Sequence, residues 1–253
     1  MSDTSTASLP VAGEGLRVGK VLSRSLSVLL RSFPKYILFG AVMALPNLIE
    51  LLRYGDTSDL NLSRHESRGE SLAFGLLSFV LYALCQSVMI YGAFQDIRGR
   101  PFDLGASIGH GFRRFLPVLG TSFCYGFVVL LGLALFIIPG LVILTMYLVA
   151  VPVCVVEGLG AIRSLDRSRL LTKGHRWQIF AIYVAPIVPI AVVMFVFMII
   201  GSVVAGETGS AIGAYLGAAL LSTSEAIVAI VTYHDLRAAK EGLDIEQLAA
   251  VFD

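Results

Sequence analysis

The residue in this chain best suited to chemistry is Glu225, set in LLSTSEAIVAI within the last long apolar run. At helical rise it lies eight residues, or ~12 Å, from the polar end of that run. A carboxylate at that depth is costly in hydrocarbon. It is therefore expected to face a bundle interior or a cavity, paired or protonated, where it could handle a proton or a substrate. Ser222 and Ser224 beside it, and Gln86 from an earlier apolar run, complete a candidate intramembrane polar site. The plainer expectation is a structural hydrogen bond from Glu225 to Gln86 or Ser87. The serines have no adjacent base or orienting group, so no nucleophile and no catalytic residue is assigned. His65, His110, His175 and His234 share no ligand spacing, and Cys85, Cys124 and Cys154 sit inside apolar runs in odd number. Neither a metal nor a cofactor is expected.

The elements that must position Glu225 follow from composition. Of 253 residues, 56% are hydrophobic and 15% charged, and mean hydropathy is +0.81. Polar groups are too few to cover a water-soluble globule of this size. Runs of roughly 20 apolar residues, the length that crosses a ~30 Å hydrocarbon core, fall at about 35–52, 72–94, 115–138, 141–156, 177–200 and 211–233. The expected fold is all-α and polytopic, with six transmembrane helices in three hairpins and a turn at Ile138-Pro139-Gly140. Residues 1–15, rich in Ser, Thr and Gly, read as a disordered tail, 16–233 as the membrane domain, and 234–253 as a cytoplasmic tail. The first span is expected to act as an uncleaved anchor, because Lys20, Arg24 and Arg31 interrupt the apolar residues before it.

A net charge of +1 gives no footprint for nucleic acid, and no nucleic-acid partner is expected. The distribution of charge says more. Sixteen of the nineteen Lys and Arg residues fall in the segment before the first span, the 95–114 and 157–176 connections, and the tail. Basic residues in short loops stay on the cytoplasmic side, so both termini are expected there, in a bacterial inner membrane. Asn61-Leu62-Ser63, on the opposite side, matches a glycosylation pattern that is common by chance.

Each basic connection also has helical amphipathic spacing. Before the first span, Val18, Leu22, Leu26 and Leu29 oppose Lys20, Arg24 and Arg31; before the third, Leu104, Ile108 and Phe112 oppose Ser107, His110 and Arg114; before the fifth, Ala161, Ile162 and Leu165 oppose Arg163, Asp166 and Arg167. The chain thus reads as three repeats of an interfacial helix followed by two spans. Lys20, Arg24, Arg31, Arg113, Arg114, Arg163, Arg167, Lys173 and Arg176 are expected to meet anionic lipid headgroups on the cytoplasmic side, each contributing on the order of 1 kcal/mol. Gly209, Gly213 and Gly217 form a small-xxx-small stripe for close helix packing. Pro186 and Pro189 in one span mark a break that could line a path.

The stretch VVEGLGAIRSLDRSRLLTKGHRWQIF, with the IPG turn before it and YHDLRAAKEGLDIEQLAAVFD after it, resembles the membrane domain associated with bacterial glycerophosphodiester phosphodiesterases. The residues that carry the likeness include Glu157, Gly160, Arg163, Lys173, Gly174 and Trp177, then Tyr233, Asp235, Arg237 and Glu241. No soluble α/β segment and no His-Arg-Gly start of an active site accompanies them, so the resemblance implies a membrane module without the phosphodiesterase activity. The expected role is a non-enzymatic module that organises the bilayer locally or anchors a protein partner, for which Leu243, Ile245, Leu248 and Val251 offer an apolar tail face. The competing role is a lipid or small-molecule carrier using Glu225 and the Pro186/Pro189 helix.

Overall fold

The structure, a computed structural model, describes residues 16–54 and 68–252. Residues 1–15 and the Asn61-Leu62-Ser63 loop lie outside it. Among the described residues the chain is helical, without strands. The elements are α1 (Val18–Arg31), α2 (Phe33–Tyr54), α3 (Arg68–Ile97), α4 (Leu104–Leu135), α5 (Ile137–Tyr147), α6 (Ala150–Glu157), α7 (Ala161–Thr172), α8 (Arg176–Val184) and α9 (Ile187–Phe252). Five stretches are long and apolar enough to cross a membrane, and a sixth if α1 and the start of α2, bent by 92° at Ser32, count as one broken span. The protein is a multi-pass helical membrane protein.

α1 and α7 are separate helices, as their amphipathic patterns predict, but the segment before the third span is not. α4 runs unbroken from Leu104 to Leu135, its start capped by the Asp103 carboxylate, which accepts from the Gly105 and Ala106 N–H groups. Gly105, Gly109 and Gly111 do not stop it, because Gly111 lets α4 close onto Val88 of α3; a Cβ there would lie 2.5 Å from a Val88 methyl. The following turn also moves. Extended backbone falls at Phe136, and Pro139 sits in the first turn of α5, where its missing N–H costs nothing.

Large apolar and small polar side chains divide in a way the amphipathic pattern does not foretell. On α7 the buried positions include Ser164, Ser168 and Thr172, whereas Ile162 is 73% and Leu170 60% exposed. On α4 Ser107 and Gly111 are buried and Phe112 and Leu116 exposed, and on α1 Ser25 is buried and Leu26 and Leu30 exposed. In a bilayer the large apolar groups gain nothing by turning inward, and small residues let helices approach.

The fourth span is interrupted between α5 and α6 at Leu148-Val149. The Met146 carbonyl at the break accepts hydrogen bonds from the Ser168 hydroxyl at 2.9 Å and the Thr172 hydroxyl at 3.1 Å. Hydroxyls of α7 thus satisfy a backbone group that the apolar surroundings would otherwise leave orphaned.

α9 is two helical arms joined at Ala205-Gly206, where Gly206 takes a φ of +62°. The arms pack antiparallel through the glycine stripe. A Cβ on Gly209 would meet the Gly201 carbonyl oxygen at 1.9 Å, one on Gly213 the Phe197 carbonyl oxygen at 2.5 Å, and one on Gly217 the Met194 side chain at 2.2 Å. Gly40 does the same for α2, sitting under Thr223 and the Ala219 carbonyl. The second arm does not end at residue 233. It continues as helix through the expected tail, with Tyr233 and Leu236 fully buried. The side chains of Leu243, Ile245, Leu248 and Val251 lie outside the described residues.

Candidate functional site

Glu225 is held by tyrosines. The Tyr82 hydroxyl of α3 donates to its Oε2 at 3.3 Å and the Tyr183 hydroxyl of α8 to its Oε1 at 3.2 Å, while Tyr125 of α4 lies within electrostatic reach. Gln86 and Ser87 play no part in this: among the described residues the Gln86 Oε1 and the Ser87 hydroxyl are buried without a hydrogen-bond partner. Tyr82 is one helical turn before Gln86, so the expectation chose the right helix and the wrong turn. Ser222 and Ser224 bond to carbonyls of their own helix, Ala219 at 3.1 Å and Leu221 at 2.8 Å. A carboxylate accepting two phenol hydrogen bonds retains acceptor capacity for a proton or a cation. Glu225 and the three tyrosines are each partly accessible.

Pro186 and Pro189 line a separate apolar groove of about 260 Å³, bounded by Leu22 and Leu26 of α1 and by Ser224 and Ile227 of α9. Glu225 does not line it.

The basic segments meet at one end of the bundle. Tyr36 donates to Asp96 Oδ2 at 2.7 Å, and Lys35 donates to the Phe102 carbonyl at 2.6 Å. Phe102 fits against Gly92, where any Cβ would enter its ring, and meets Tyr36 edge-on at 5.2 Å. Four of the nine basic residues expected to face headgroups have acidic or carbonyl partners inside the protein. Arg24 donates to Asp235 Oδ1 at 2.7 Å, Arg114 to the Gly158 carbonyl at 3.0 Å, and Arg167 to both Glu157 oxygens at 3.3 Å. Arg176 lies 3.7 Å from the Met146 sulfur. Arg31 is exposed and approaches the Asp96 carbonyl at 3.4 Å, while Lys20, Arg113, Arg163 and Lys173 are exposed.

Arg167 belongs to a closed ring of five side chains. It bonds Glu157 and Glu241; Arg237 donates to the other Glu241 oxygen at 2.6 Å and to the Tyr233 hydroxyl at 3.2 Å; Tyr233 returns to Glu157 at 2.9 Å. Partial burial works to lower the Arg167 pKa, and the Glu157 and Glu241 carboxylates outweigh it, so the guanidinium pKa is raised. Four of these five residues, Glu157, Tyr233, Arg237 and Glu241, are among those that carry the sequence resemblance.

Helical spans enclosing a carboxylate, with an ion-pair ring at one end, define a polytopic α-helical membrane protein. The chain belongs to a family described as a domain of unknown function, DUF7847, which it matches over residues 60–238. No curated protein and no solved structure matches it.

Proposed function

We propose that this protein is a non-enzymatic module of a bacterial plasma membrane, with both termini cytoplasmic, that gathers anionic lipid at its basic end and anchors a protein partner through the helix beyond residue 241. The observation that supports this most is the sorting of charge: Arg24, Arg114 and Arg167 are engaged inside the protein, while Lys20, Arg31, Arg113, Arg163 and Lys173 stay exposed. The test is lipid selectivity in mixed phosphatidylglycerol and phosphatidylcholine nanodiscs, read from spin-labelled lipid. Phosphatidylglycerol should be enriched around the wild-type chain and not around a variant with those five residues changed to Gln. Equal selectivity of the two proteins would remove the reading.

A carrier role is the second reading, and the spare acceptor capacity of the Glu225 carboxylate, held between Tyr82 and Tyr183, favours it. A labelled lipid or proton flux in proteoliposomes that Glu225→Gln abolishes without loss of stability would establish it over the module.

A further inference from the structure

At the end of the bundle that carries the ion-pair ring, a cleft of about 470 Å³ opens between the end of α3 and the last two turns before residue 241. Phe94 and Arg98 form one wall, and Tyr233, His234, Arg237 and Glu241 the other. Neither Arg98 nor Arg237 is among the residues that the amphipathic pattern assigns to headgroups.

Arg98 lies over the Phe94 ring at 5.1 Å, and among the described residues its guanidinium makes no side-chain hydrogen bond. The aromatic face fixes its position while leaving its five N–H donors unused. Arg237 employs its Nε and one Nη, on Glu241 and Tyr233, and so keeps donors to spare. The one carboxylate on the lining is Glu241, and both its oxygens are taken, by Arg167 and by Arg237. Arg24 does not line the cleft but reaches His234, which does, its Nη1 3.4 Å from the His234 Nδ1. Two planar guanidiniums with open donors on the lining of one cleft, and an acid already neutralised, suit a tetrahedral oxyanion.

We propose that this cleft binds a phosphate group. The phosphate can be that of an anionic lipid headgroup entering from the membrane surface or a free phosphate ester from the water phase; both present the same oxygens to Arg98 and Arg237. The site rests on the reading that this end meets the anionic side of the membrane, but it makes a claim about Arg98 that the five exposed cations do not share.

The experiment uses the full-length chain in nanodiscs. One arm titrates inorganic phosphate into phosphatidylcholine discs, and the other counts phosphatidylglycerol retained through native mass spectrometry. Arg98→Ala is compared with wild type and with Arg169→Ala, a control at an exposed cation of α7 that neither lines the cleft nor belongs to the five headgroup cations. Arg98 is not a member of the ion-pair ring and is exposed, resting only on the Phe94 ring, so its removal is expected to leave the fold intact, verified by an unchanged melting temperature. The expected result is a roughly tenfold weaker binding in at least one arm for Arg98→Ala, little change for Arg169→Ala, and partial recovery with Arg98→Lys. A loss confined to the phosphate arm assigns the free ester, and one confined to the lipid arm assigns the headgroup. Binding in neither arm, or equal losses in Arg98→Ala and Arg169→Ala, overturns the site. If Arg98→Ala behaves as wild type while the fivefold Gln variant loses selectivity, the cleft fails and the headgroup reading stands.

Discussion

The Arg167 guanidinium is bonded to Glu241, 74 residues further along the chain, and through Glu157 to the end of α6. One side chain therefore ties α6, α7 and the C-terminal part of α9 together. Replacing it leaves Glu157 with Tyr233 and Glu241 with Arg237, so neither carboxylate is stranded.

Arg167→Ala is accordingly expected to cost a modest amount, about 1–2 kcal/mol for a partly exposed, charge-assisted cluster. The sensitive measurement is tryptic cleavage after Arg237 and Lys240, which should accelerate well before global unfolding. Arg167→Lys should restore little of the protection, because a point charge cannot reproduce a fork that serves two carboxylates.

At Glu225, Tyr82→Phe and Tyr183→Phe each remove one donor from a carboxylate inside the bundle. Each should lower stability by about 0.5–1.5 kcal/mol, and the double variant should lose more than the sum, since the last donor's removal leaves the carboxylate uncompensated. Glu225→Gln should tolerate both tyrosine changes better than Glu225 does. Thermal denaturation in one detergent across the set measures this coupling.

The glycines give a paired prediction. Gly213→Ala places a methyl 2.5 Å from the Phe197 backbone oxygen, so the two arms of α9 must separate, at about 1–3 kcal/mol. Gly126→Ala in α4 meets nothing within 4 Å and should be neutral or slightly stabilising, by up to about 1 kcal/mol. Melting temperatures of the two proteins should move in opposite directions or differ by several degrees.

Ser168→Ala with Thr172→Val removes both side-chain donors to the Met146 carbonyl. The double variant is expected to be destabilised by about 1–3 kcal/mol, the penalty of an unpaired buried acceptor, while either single change is buffered by the remaining hydroxyl. Amide exchange at Ala150–Cys154 should rise in the double variant and stay near wild type in the singles.

Much of this architecture is legible in the sequence because hydropathy and helix length report directly on the bilayer. The helical class, the spans from residue 72 onward and the packing role of Gly209, Gly213 and Gly217 follow from period and spacing. The inward faces of α1, α4 and α7 do not. An amphipathic pattern separates apolar from polar, but the bilayer and the protein interior are both apolar, so it cannot tell that Ser164, Ser168 and Thr172 turn to the protein and Ile162 and Leu170 away. Partner identity is equally hidden: Arg24, Arg163 and Arg167 are alike as letters, and it takes the fold to bring Asp235, Glu157 and Glu241 to two of them. Glu225 announces itself by depth. Its tyrosine partners, 42 and 143 residues away, share no local pattern with it.

The interrupted fourth span shows what these long-range contacts do mechanically. Two hydroxyls of α7 bonded to its Met146 carbonyl tie the span to that helix at the break. If Arg163 and Lys173 face headgroups as proposed, their height is set by the fourth span, and local bilayer thickness acting on that span would change how far the two charges reach.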